Sequence, residues 1–222
     1  MRAEPRQGWQ HGWQRRAEAA TVIAVGLIGP IASGKSVVLE SLARCGAATI
    51  RADEVSRELL RPGSEHLEAV IEAFGGEFLA ADGSLLRGKL GELIFRDAGA
   101  REKLNRLVHP AMVADMRKRI EQCAQEGASV VVVEAANLVE MGGRGLVDRL
   151  VMVTAPREER VRRLMARDGL SRPEAEQRVR VHEQMGIEEP VADYVIETSG
   201  SETDTEKRAE RLWRELVKDG GE

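Results

Sequence analysis

A glycine-bracketed lysine at the end of an apolar run constrains this chain more than any other feature. Residues 22–28 read VIAVGLI, and residues 29–36 follow as GPIASGKS. Gly29, Gly34, Lys35 and Ser36 satisfy the pattern G-x-x-x-x-G-K-[ST], with a strand-like segment before it and a helix-like segment after it. Glycines let the backbone curl until successive N–H groups point inward at phosphate oxygens. The helix that starts near Lys35 adds the positive end of its dipole. Lys35 would then reach the β- and γ-phosphates of a nucleotide, and the Ser36 hydroxyl would coordinate Mg²⁺. The loop formed by Gly29, Pro30, Ile31, Ala32, Ser33, Gly34, Lys35, Ser36 and Val37 is therefore expected to bind ATP.

The rest of the chain repeats this alternation of strand and helix. Residues 22–28 and 130–135 (VVVVEA) are β-branched and nearly continuous, as strands buried on both faces are. Residues 150–155 and 192–198 are weaker versions, and 47–51 (AATIR) is a short candidate. Helical periodicity covers 35–45, 64–74, 87–97, 100–125, 156–168, 173–184 and 202–218. The order predicts an α/β fold with three layers, a mainly parallel five-stranded sheet flanked by helices. Residues 53–125 hold far more helix than one crossover needs. They read as a helical subdomain inserted in a kinase domain spanning 20–222, laid over the carboxyl edge of the sheet, where open α/β folds bind ligands.

Residues 1–19 are set apart as an extension in which Gly-Trp-Gln occurs twice. Its two glycines weaken any helix, so a flexible segment is expected, although Trp9 and Trp13 would share one helical face and could dock.

Composition removes several function classes. A net charge of −4 leaves no electrostatic footprint for nucleic acid, and 3% aromatic residues provide few stacking platforms. No apolar run is long enough to span a membrane. Cys45 and Cys123 lack metal-ligand or redox spacing and read as reduced thiols. The N-terminal arginines Arg2, Arg6, Arg15 and Arg16 are accompanied by Glu4 and Glu18, unlike a transit peptide. A cytoplasmic enzyme, monomeric or weakly self-associating, is expected. No N-K-x-D guanine signature occurs, which points away from a switch GTPase and toward a small-molecule kinase.

Candidate catalytic groups follow from position. After strand 47–51 comes RADEVSREL, which puts Asp53 at a strand end facing the phosphate loop. A carboxylate there can accept the proton of an acceptor hydroxyl during in-line transfer. It can equally cap the next helix. Arg57, one turn later, could bind an anionic group of the acceptor. Glu134 ends the second apolar strand and could hold Mg²⁺ through water, or simply be satisfied by neighbouring N–H groups. Residues 157–182 carry eight arginines in 26 positions and read as a helical hairpin turning at DGLSRP. Within it, the segment of about 163–184 is a candidate lid. Arg163 and Arg167 would lie on one face to neutralise the transferring phosphoryl group. An ordinary solvated charged helix is the other reading.

Together these residues resemble the dephospho-coenzyme A kinase family. Besides GLIGPIASGKS, the resemblance rests on RADEVSREL, DGSLLRGKLGELIF (82–95), LVHP (107–110), RLMARDGLS (163–171) and ADYVIETSG (192–200). It runs from about Val22 to Leu216. The resemblance implies ATP and Mg²⁺ phosphorylating the ribose 3′-hydroxyl of dephospho-CoA. By position, Asp53 matches the catalytic base, and Arg57 and His109 match substrate-side residues, with Glu140 a further one. Arg163 and Arg167 match lid positions near the ATP phosphates. The chain departs from the pattern where Arg51 replaces an acid, where Pro30 and Ala32 replace loop glycines, and where Val37 replaces a threonine. Ala136 and Asn137 stand in an altered EAANLVE segment, His182 replaces a glutamine and Thr198 an asparagine. These changes lie on the acceptor side and adenine edge, and leave open a paralogue acting on a different nucleotide-like or pantetheine-bearing alcohol. A nucleotide-binding regulatory protein without transferase activity is a second alternative.

Overall fold

A computed structural model describes residues 22–184 and 192–219. The extension with Trp9 and Trp13 lies outside the described residues. The element order is β1 (Ile23–Ile28), α1 (Lys35–Arg44), β2 (Ala48–Arg51), α2 (Ala52–Leu59), α3 (Glu65–Phe74), α4 (Arg87–Arg96), α5 (Ala98–Gln125), β3 (Val130–Glu134), β4 (Arg149–Thr154), α6 (Arg157–Asp168), α7 (Arg172–Gln184), β5 (Tyr194–Glu197) and α8 (Glu202–Asp219). All five strands are parallel, in the spatial order β2-β3-β1-β4-β5. The two central apolar runs became the two central strands. All six residues of β1 and the four valines of β3 are buried, because helices cover both sheet faces.

Strand alternation divides the core in two. Ala24, Ile28, Val131 and Val133 point to one side and pack against Val55, Val70, Met112 and Met116 of α2, α3 and α5. Val25, Leu27, Val130 and Val132 point to the other side, against Val38 and Leu42 of α1 and Leu212 and Leu216 of α8. A smaller apolar cluster, Val161, Leu164, Ala175 and Val179, joins α6 to α7 in a hairpin. Among the described residues, no helix is long and apolar enough to cross a membrane.

Between Ala52 and Gln125 the backbone forms four α-helices, a 3₁₀ turn at Gly76–Phe78 and an isolated antiparallel bridge from Leu79 to Leu85. The periodicity analysis did not separate α2 from the strand before it. Arg51 ends β2 and Ala52 starts α2 with no turn residue between them. Pro110 sits inside α5, where it removes one helical N–H donor next to His109.

Register places the chemistry at one edge. Leu27 and Arg51 are both paired with Glu134, so the carboxyl ends of β1, β2 and β3 are level. The phosphate loop, Asp53 and Glu134 all emerge there. The loop itself depends on Gly29, whose φ is 148°. A Cβ at this position would lie 2.2 Å from the Val153 carbonyl oxygen of β4. Backbone, not a yielding side chain, is the obstacle. We expect Gly29→Ala to lower stability by about 2 kcal/mol or more, read as a lower urea midpoint together with weakened ATP binding. A variant with parental midpoint and ATP affinity would show that the loop conformation is not fixed by this contact.

Candidate active site

The loop is built so that its donors stay available. Gly34 caps α1 in the left-handed conformation with no side-chain cap, and the first turn of α1 holds no acidic residue. Nothing of the helix's own charge competes with a phosphate for those N–H groups. Ala32 is the non-glycine residue with positive φ among the described residues, at 57°. It thus holds a backbone shape that a glycine would adopt without strain.

Lys35 folds back over the loop. Its Nζ donates to the carbonyls of Gly29 at 2.9 Å and Pro30 at 3.1 Å. Burial pushes its pKa below the ordinary lysine value, and the Glu134 and Asp53 carboxylates partly offset this. Glu134 shows the converse. Burial raises its pKa, against the pull of Lys35 and Arg51. Charge at this edge is therefore closely balanced within a low-dielectric pocket.

Asp53 occupies the first turn of α2 and is solvent-exposed. The cap position belongs to Arg51, which makes no side-chain cap bond, so Asp53 is not the cap of this helix. Its carboxylate lies within electrostatic reach of Lys35, across a cleft of about 720 Å³. Ser36, Glu134, His109, Arg163 and Arg167 line the same cleft. Arg167 is held by both oxygens of Asp168, at 2.7 and 3.0 Å. Arg163 is tied more firmly, to Glu159, the Ala32 carbonyl and Thr198.

Other residues fall elsewhere. Glu140 lines an adjoining cavity of about 430 Å³ with Phe95 and Arg101; Asn137 and His182 border both spaces. Arg57 is exposed and lines neither. Arg87 of α4 donates to the carbonyls of Ser56 and Arg57, both at 3.3 Å, and so reaches the α2 segment that carries Asp53. The sequence reading had not singled out Arg87, although it lies within the DGSLLRGKL stretch. Arg51, the replacement for an acid, sits 3.8 Å from Glu40, 3.9 Å from Glu54 and 3.8 Å from Glu134. It neutralises carboxylates at the cleft wall instead of adding another.

Two half-buried histidines give this region a pH signature. Burial lowers the pKa of His109. Burial, then Lys35 and Arg160, lower that of His182, against a smaller pull from Glu183. The folded chain then binds fewer protons than the unfolded chain below about pH 6.5, the unperturbed histidine value. The corresponding stability is present above that pH and is lost as pH falls through the lower folded values. We expect the urea midpoint to fall between about pH 7.5 and pH 5.5, a window above most carboxylate titration. The slope should flatten in a His109→Asn/His182→Gln double variant; an unchanged slope would refute the assignment.

No group of three or more His, Cys, Asp or Glu side chains that could hold a metal occurs among the described residues.

Similarity to known proteins agrees with this geometry. The family model described as dephospho-CoA kinase matches residues 23–204. The dephospho-CoA kinase of Geobacter sulfurreducens is 42% identical over 191 residues, spanning 85% of this chain and 96% of that protein. That of Carboxydothermus hydrogenoformans is 43% identical over 182 residues, spanning 80% and 86%. A Thermus thermophilus protein of known structure superposes with a TM-score of 0.69 at 32% identity, covering 88% of this chain and 98% of that one. A shikimate kinase from Acinetobacter baumannii, 16% identical with a TM-score of 0.50 over 90% and 96% of the two chains, shares the fold.

Proposed function

The chain belongs to the dephospho-CoA kinase family, and from that premise we propose how its cleft carries out the ATP-dependent phosphorylation of dephospho-CoA, with the ribose 3′-hydroxyl as acceptor. The observation that carries the reading is the convergence of Lys35, Ser36, Asp53 and Glu134 on one cleft at the carboxyl edge of the sheet.

ATP lies with its phosphates in the loop Gly29–Val37, against the uncapped start of α1. Lys35 leaves the Gly29 and Pro30 carbonyls and moves onto the β- and γ-phosphates. The exchange costs little, because the lysine trades one set of oxygen acceptors for a more strongly charged one. The residues present fit Mg²⁺. Ser36 would hold it directly and Glu134 through water, and the ion would neutralise charge on the β- and γ-phosphate oxygens.

Dephospho-CoA enters from the side of α4 and α5, past His109, with Glu140 and Asn137 on the wall of the adjoining cavity. Asp53 accepts the hydroxyl proton as the acceptor oxygen attacks the γ-phosphorus in line; the bond from that phosphorus to the β-phosphate oxygen breaks and ADP leaves, while Arg167 releases Asp168 to meet the transferring phosphoryl group. The α6–α7 hairpin acts as the lid that excludes water. Arg57, which does not line the cleft but lies with Asp53 in electrostatic reach of Arg87, would attract the acceptor's anionic groups from outside it.

The reading is tested by incubating the protein with ATP and a panel of alcohols, including dephospho-CoA, adenosine, shikimate and pantetheine. Dephospho-CoA should give product fastest. Faster turnover of another alcohol would reassign the acceptor, and ATP binding without any product would remove the transferase reading altogether.

A further inference from the structure

Thr198 lies just beyond β5, 2% exposed, and does not line the cleft. Its backbone N–H donates to the Thr154 carbonyl at 2.8 Å, which anchors it to the end of β4. Its hydroxyl has one hydrogen, and the nearest acceptor is the Ser33 carbonyl of the phosphate loop, at 2.6 Å. The remaining lone pairs accept from Arg163 Nη1 at 2.8 Å, while the Thr198 carbonyl accepts from Nη2 at 2.5 Å. Arg163 in turn donates to the Ala32 carbonyl at 3.3 Å and to Glu159 at 3.0 Å. One buried hydroxyl thus joins the phosphate loop, the α6–α7 hairpin and the sheet edge.

The consequence for the loop follows from peptide geometry. A trans peptide sets its C=O and N–H in opposite directions, and cis bonds are absent among the described residues. With the Ser33 carbonyl drawn onto Thr198, the Gly34 N–H is turned away from Thr198, to the side where Ser33, Gly34 and Lys35 border the cleft. The Ala32 carbonyl is held on Arg163 in the same way, at the residue whose φ of 57° is disfavoured for alanine. The space is tight: a Cβ on Gly34 would lie 3.0 Å from Thr198 Oγ1 and 3.2 Å from Arg163 Nη1.

We propose that Thr198 is a positioning residue that holds the phosphate loop and Arg163 in one register, so that the N–H groups of the loop already face the place of the ATP phosphates before ATP arrives. This rests on the kinase reading above. It divides the two hairpin arginines: Arg163 is fixed to the loop, and Arg167 is the one free to move.

The test is a double-mutant cycle read by calorimetric ATP affinity, with melting temperature recorded for every variant. Thr198→Val keeps the shape and removes the hydroxyl; it should weaken ATP binding about tenfold or more, whereas Thr198→Ser should stay within about threefold of the parent. In an Arg163→Met background, the Thr198→Val effect should shrink at least about threefold, because coupled residues are not additive. Equal effects in the two backgrounds, failure of serine to preserve affinity, or a lower melting temperature with unchanged ATP affinity would each overturn the proposal. If Thr198→Val does not fold, Thr198→Ala, which also lacks the hydroxyl, takes its place in the cycle with the same expected and overturning results. Turnover of dephospho-CoA by the parent tests the kinase reading separately, since ATP affinity can be measured whether or not product forms.

Discussion

Asp53→Asn is expected to cut kcat by about a hundredfold or more while leaving ATP affinity within a few-fold of the parent. The substitution keeps the size and hydrogen-bonding shape of the side chain but removes its capacity to take a proton, and general bases contribute on the order of 10²–10⁴ in rate. Asp53 is exposed in the first turn of α2, makes no cap and sits across the cleft from Lys35. Its loss therefore should not unfold the chain or disturb the phosphate loop. Full kcat in the asparagine variant would show that the acceptor hydroxyl loses its proton elsewhere. A large loss of ATP affinity would instead make Asp53 part of the nucleotide site.

Lys35→Met should lower kcat by a factor of about 10²–10³, the scale seen when one preorganised donor to transition-state charge is removed. Its effect on stability should be small, because two contributions oppose each other. Folding moves the lysine from water into a site that disfavours its charge, which is why its pKa is lowered. Against this, the lysine satisfies the carbonyls of buried Gly29 and half-buried Pro30, neither of which lines the cleft. The methionine variant should therefore melt within a few degrees of the parent without ligand, and should lose most of the rise in melting temperature that saturating ATP gives the parent. Arginine should not restore activity, because a wide planar fork does not fit where a point charge is needed. A variant that melts well below the parent without ATP would mean that Lys35 holds the loop together instead of waiting for phosphate.

Much of this architecture is legible in the sequence because it is local. A continuous β-branched run bounded by glycine can do little but form a buried parallel strand, and the loop motif carries its own geometry. The helix at 52–59 is harder to see. It is only eight residues long and follows β2 without a break, so neither a turn signal nor an N-cap residue marks its start. Pro110 does not hide α5: the helical periodicity runs through it over 100–125, and the helix continues through the proline from Ala98 to Gln125.

Side-chain partnerships across the fold are not legible at all. That Arg51 stands between Glu40, Glu54 and Glu134 depends on the parallel pairing of β2 with β3. The bond from Thr198 to Ser33 joins positions 165 residues apart. Arg57, four residues after Asp53 on α2, is exposed as Asp53 is and does not line the cleft; Arg87 of α4 lies within electrostatic reach of both, a partnership that no spacing along α2 could show.

The most direct measurement is a structure of the protein with a non-hydrolysable ATP analogue, Mg²⁺ and dephospho-CoA bound together. The account predicts the ribose 3′-oxygen within about 2.6–3.2 Å of an Asp53 carboxylate oxygen, in line with the γ-phosphorus and with Lys35 Nζ on the phosphates. An acceptor oxygen bound out of reach of Asp53, with that carboxylate turned to solvent, would contradict it.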